Sequence, residues 1–204
     1  MLIHCETENA NALFLELWHG IFKGANLTAN HMKYIYVEGL RVLHSAERQL
    51  KDALPQMARA ASNDGLLTWL TRRLEQANNN VARLEKVCAA IQESPRGEKC
   101  THMEHLLATG VRMIGKHGAG ERLDRELIAI AEGIEGQELA GLGWVCFHAK
   151  LLKDNATSLV LEKMLEEEKV AASKLAQLSD GLAAWAGRDG SWGTQGETAN
   201  MSAK

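Results

Sequence analysis

Four segments of this chain carry apolar residues at every third or fourth position, and that period constrains the fold more than any other feature of the sequence. A helix of 3.6 residues per turn gathers such positions into one stripe, whereas a strand requires alternation, which is absent here. In residues 30–61 the stripe is Tyr36, Leu40, Leu43, Leu50, Leu54 and Met57, with Pro55 expected to bend the helix near its end. In residues 66–92 it is Leu66, Leu70, Leu74, Ala77, Val81, Leu84 and Cys88, preceded by the turn and cap residues Ser62, Asn63, Asp64 and Gly65. Two more long segments cover 123–152 and 156–185, joined by Lys153, Asp154 and Asn155, a joint so short that its helices must be antiparallel neighbours. A shorter helix is expected over 101–116, between the breaker Ser94, Pro95, Arg96, Gly97 and the glycine-containing stretch 117–120. Each long segment would span roughly 45 Å. The expected fold is therefore all-α, an antiparallel four-helix bundle over residues 30–186 with one additional short helix.

The two ends differ from this body. Residues 187–204 are rich in Gly, Ser, Thr and Asn without apolar period and read as a disordered tail, while residues 1–29 read as a partly helical N-terminal extension with an amphipathic stretch at 13–22. That stretch is too short and too interrupted, by Glu16 and His19, to cross a membrane. A formal net charge of -3 with no basic block argues against nucleic acid. The cysteines Cys5, Cys88, Cys100 and Cys146 form no CxxC pair, so neither a zinc knuckle nor a disulfide framework is signalled, and a reducing cytoplasm is the expected location. No nucleophile triad, phosphate loop or nucleotide fingerprint occurs, which leaves hydrolase and kinase readings without support.

Glutamates interrupt the apolar stripes at matching depths. Glu47 stands between Leu43 and Leu50; Glu135 and Glu138 stand between Ala131 and Leu142; Glu168 stands between Leu165 and Leu175. All four lie near the middle of their helices, so an antiparallel bundle would bring them to one level. Buried carboxylates must be neutralised, since two of them about 4 Å apart repel by roughly 4 kcal/mol at an effective dielectric of 20. Inward glutamates and Glu-x-x-His pairs on bundle helices are the ligand set of di-iron and di-manganese carboxylate proteins, because hard cations take oxygen donors. Of the histidines, His44 lies three residues before Glu47 and would join the set if it turned inward. His102 and His105 fall on the short helix and read as surface residues, and Trp144 with His148 as packing residues.

Residues 40–54, LRVLHSAERQLKDAL, resemble the first helix of the YciE/YciF family of ferritin-like proteins. Arg83, Leu84 and Glu85, then Lys99, Cys100 and Met103, then 131–141, AEGIEGQELAG, and 165–169, LEEEK, resemble later segments of the family in the same order. The resemblance implies a ferritin-like bundle, usually a homodimer, with two iron or manganese ions, found in bacterial stress responses and lacking a firmly assigned reaction. It implies Glu47, Glu135, Glu138 and Glu168 as metal ligands and oxygen, peroxide or iron handling as the activity, that of an oxidoreductase or ferroxidase.

The second helix departs from the family pattern. Arg73, Gln76 and Asn80 stand where His, Glu, and His or Gln are common, Gly136 and Gln137 replace a His-Tyr pair, and Ala172 replaces an acidic residue. An inward Arg73 would neutralise the glutamates as a fixed cation and turn a metal site into a buried ion-pair network. Two expectations therefore stand: a two-ion carboxylate centre, and a metal-free degenerate member acting as a structural or partner-binding dimer.

Overall fold

Helix α1 (Ala29–Ala60) turns through residues 61–63 into α2 (Asp64–Ala90), and α4 (Glu121–Leu151) turns through residues 152–154 into α5 (Asn155–Arg188). Between the two hairpins lies α3 (Thr101–Lys116). The structure is a computed structural model in which residues 29–188 are described, with side chains over 30–181. Among the described residues every regular element is helical. The helices begin and end within three residues of the limits that the apolar period sets, and α1 carries Pro55 inside it and continues to Ala60. The N-terminal extension and the tail fall outside the described residues, apart from the few that open α1 and close α5.

The start of α2 shows how local chemistry fixes a boundary. Asn63 is extended (φ -84°) and its side-chain oxygen accepts from the Leu66 N–H at 3.0 Å, satisfying one of the free amides of a helix start. The preceding Ser62 gives its backbone N–H at 2.8 Å, and its hydroxyl, to the buried Asp124 of α4, which ties the first hairpin to the second.

The four long helices form a closed ring: α1 packs on α2 and α4, and α5 packs on α4 and α2. A side chain at Gly39 would meet Val145 and one at Gly141 would meet Leu43, so α1 and α4 are antiparallel and their backbones approach closely. The Trp69 indole N–H donates to the Ala171 carbonyl at 3.1 Å, and a side chain at Gly65 would meet Leu178, so α2 and α5 are antiparallel as well. It follows that α2 and α4 point the same way, and residues 91–120 must carry the chain back along the bundle. The helix α3 makes that return against the seam of α1 and α4, the single crossover of the ferritin-like arrangement.

The core is not continuous. One apolar cluster is built around Leu50, Leu54, Leu70, Leu127, Ile134 and Leu175. A second is built around Tyr36, Leu40, Leu84, Leu142, Val145 and Leu161. Between them, on all four long helices, lie buried polar residues: Glu47, Arg73, Asn80, Glu135, Glu138 and Glu168.

Candidate metal centre

On α1, α4 and α5 each residue of the polar layer takes a place in the apolar stripe, which is why its side chain points inward. On α2, Arg73 and Asn80 stand one residue before Leu74 and Val81 of the expected stripe, and the structure buries them and leaves Leu74 and Val81 only half-buried. Glu47, Glu135, Glu138 and Glu168 are all 2% exposed or less, as the stripe positions predict, and Arg73 is 1% exposed. The Arg73 guanidinium faces three of the four carboxylates. Its Nε donates to Glu135 Oε1 at 3.0 Å, its Nη1 to Glu47 Oε2 at 3.2 Å, and its Nη2 lies 3.5 Å from both Glu47 Oε1 and Glu168 Oε1. Two turns further along α2, Asn80 Nδ2 donates to Glu47 Oε1 at 2.6 Å and to Glu168 Oε1 at 3.1 Å. The inward Arg73 anticipated from the sequence is thus present, and Asn80 is a second donor to the layer that the sequence reading gave no role. The spacing of seven residues that puts Arg73 and Asn80 on one face was the available signal.

Glu138 stands apart. Both of its carboxylate oxygens are buried without a hydrogen-bond partner, and Glu135 Oε2, Glu168 Oε2 and Asn80 Oδ1 are likewise unpartnered. Burial pushes the carboxyls of Glu135, Glu138 and Glu168 above their ordinary range; Arg73 opposes the rise in each, and Glu168 is pushed up to about 8. For Glu138 the charge of Glu47 adds to the rise. The same glutamates hold the guanidinium protonated well above its ordinary range against its own burial.

Glu47, Glu138 and Glu168 each offer one oxygen, all within 4.8 Å of one another, a spacing at which one cation can be shared. The donor set is all carboxylate, suited to a hard cation such as iron or manganese. Arg73 already engages both oxygens of Glu47 and one each of Glu135 and Glu168, and α2, which would have to supply a carboxylate to a second ion, supplies a guanidinium and an amide instead. Of the four glutamates expected as ligands, three therefore converge, and Glu135 turns one oxygen to Arg73. His44 is buried but does not join them; its Nε2 lies 3.4 Å from Glu85 Oε1 at the outer edge of α2, and the ring borders a surface groove with Arg48, Asp52 and Arg96. His102 and His105 are exposed, and His148 stacks on Trp144 with ring centroids 4.4 Å apart while its Nδ1 bonds the Trp144 carbonyl.

Comparison with known proteins bears on the fold and the family. The sequence pattern of a family described as a Domain of unknown function (DUF892) matches residues 31–186. Protein YciF of Escherichia coli (strain K12) is 31% identical over 146 residues, which cover 71% of this chain and 88% of that protein. The crystal structure of the E. coli stress protein YciF superposes with a TM-score of 0.72 at 29% identity, covering 75% of this chain and 97% of that one. YcfI, described as a putative structural protein from Rhodopseudomonas palustris, gives 0.68 at 29% identity, over 74% and 95%. No helix among the described residues is long and apolar enough to cross a membrane. With its pattern matched along the whole bundle and its relatives covered almost from end to end, the chain belongs to the DUF892 family of YciF, the YciE/YciF group of ferritin-like proteins.

Proposed function

We infer that this chain is a stress-associated ferritin-like protein that holds iron or manganese in the middle of its bundle, with Glu47, Glu138 and Glu168 as ligands. The observation that carries this reading is the Glu138 carboxylate, buried with both oxygens unpartnered beside two further carboxylates. A buried acceptor without a donor costs about 1–3 kcal/mol, and more when charged, so such a group calls for a cation. Bound iron would supply ferrous/ferric redox chemistry, the basis of the oxygen, peroxide or iron handling proposed for this group. The chain's own contribution is to fix the three carboxylates on three helices, to keep Arg73 and Asn80 bonded to them, and to exclude water with the apolar cluster on each side. The stress association rests on the YciF relatives. The test is elemental analysis of protein grown with added iron or manganese, beside Glu138→Ala. Metal in the parent and none in the variant supports the reading, and a metal-free parent removes it. A homodimer belongs to the same proposal, and light scattering at the mass of a single chain would remove it.

A second reading is favoured by the bonds of Arg73 and by the raised carboxyl pKa values, which let protons neutralise the layer without metal. In that case the bundle is a structural or partner-binding element, in keeping with the description of its Rhodopseudomonas relative. Its signature is a melting temperature unchanged by added iron or manganese.

A further inference from the structure

Four carboxylates and one guanidinium share a layer buried from bulk solvent, and the guanidinium cannot be titrated away. With all four carboxyls ionised, as full ligation by a metal would require, three negative charges would remain once Arg73 is counted against Glu47, Glu135, Glu138 and Glu168. They are not evenly distributed. The donors of Arg73 go to Glu47, Glu135 and Glu168 and none to Glu138, so the charge of Glu138 is the least compensated, with both of its oxygens unpartnered; Glu135 Oε2 and Glu168 Oε2 lack partners as well. One divalent cation placed beside Glu138 leaves a single negative charge, which one proton cancels, and one trivalent cation cancels it outright. Two divalent cations beside Arg73 would instead leave the layer positive, which burial penalises.

We propose that the core takes one metal ion, between Glu47, Glu138 and Glu168, and that the Arg73 guanidinium permanently fills the position of a second cation. This rests on the metal reading above and changes its chemistry. A guanidinium neutralises carboxylates as an ion does, but it has no second oxidation state and no coordination position to offer. Asn80 completes the arrangement, since its amide bridges Glu47 and Glu168. The site is then a centre for a lone ion whose partner charge is built into the polypeptide.

The experiment uses the full chain, stripped with chelator, reloaded with Mn(II) without oxygen, desalted, and measured by elemental analysis and by electron paramagnetic resonance. One ion per chain with the signal of an isolated Mn(II) is expected. Two ions per chain, or the signal of a spin-coupled pair, would overturn the proposal while leaving the metal reading intact, whereas no retained ion would overturn both. Arg73→Glu, refolded with Mn(II) present in case the metal-free variant does not fold, is expected to take two ions and to show the coupled signal. If Arg73→Glu retains one, the guanidinium does not fill a cation position and the proposal fails.

Discussion

Removing the Arg73 cation from metal-free protein is the most direct probe of what the polar layer costs. In Arg73→Met the side chain keeps much of its volume and loses its charge, and three carboxylates lose their nearest positive partner at 3.0, 3.2 and 3.5 Å. A unit charge pair at about 4 Å is worth roughly 4 kcal/mol at an effective dielectric of 20, so three contacts set a large gross loss. Two effects reduce it: Arg73 no longer has to be buried, and the glutamates can take up protons in its place. The net is expected near the 3–5 kcal/mol typical of breaking a buried pair from one side. The loss should also depend on pH. Arg73 lowers the carboxyl pKa values of Glu135 and Glu168 against the rise from burial, so without it both rise further. Folded variant then binds more protons than unfolded variant over a wider range, and its stability falls more steeply as pH rises. Urea unfolding of both chelator-treated proteins, followed by circular dichroism at about pH 5 and about pH 8, measures this. A loss below about 1 kcal/mol at the higher pH, or one equal at both, would refute the argument that Arg73 carries the neutralisation.

Other outcomes follow from the same layer and from its frame. Glu138→Leu should stabilise metal-free protein by about 1–3 kcal/mol, since it removes an unpartnered buried carboxyl, and should abolish any rise in melting temperature on adding Mn(II). In chelator-treated wild type, Glu168 has a folded pKa raised from 4.5 to about 8, so its stabilising share is complete below 4.5 and is lost as pH rises toward 8. Unfolding free energies that rise over that interval would contradict this. Gly39→Val should cost about 1–3 kcal/mol by thermal unfolding, because even a Cβ there would come within 2.9 Å of the stiff Val145 side chain.

The fold was legible because each long helix buries one stripe, and a stripe repeats in sequence whatever its partner is. Asn63 announced the start of α2 by its side-chain chemistry, and Lys153, at φ 57°, lies in the short joint that the sequence marks between α4 and α5. The burial of the four glutamates was legible for the same reason, since Glu47 or Glu168 takes the place of a Leu in its stripe. What periodicity could not fix is how polar groups are shared across helices. Arg73 reaches Glu47 and Glu135 but leaves Glu138 bare, a division set by side-chain reach over distances that only the packed bundle defines. His44 shows the limit on a single helix: it is buried as a stripe-edge residue can be, but it turns to Glu85 rather than to Glu47. In the sequence Asn80 is only a departure from the family pattern, because it lies one residue before Val81 of the expected stripe and an amide carries no sign of which acceptors will face it.

The break between the two apolar clusters bears on the bundle as a whole. Leucines are interchangeable along a stripe, and two uniformly apolar cores would tolerate one helix sliding past its neighbour by a turn, about 5.4 Å. Here such a slip would carry Arg73 away from Glu47 and Glu135 and seat it among residues such as Leu50 or Leu84, with every carboxylate of the layer left unmatched. The misaligned state is thus penalised far more heavily than the loss of apolar contacts alone would dictate, as a lone buried asparagine penalises slippage in a coiled coil. The belt of charge serves as a key that admits one axial alignment of four long helices.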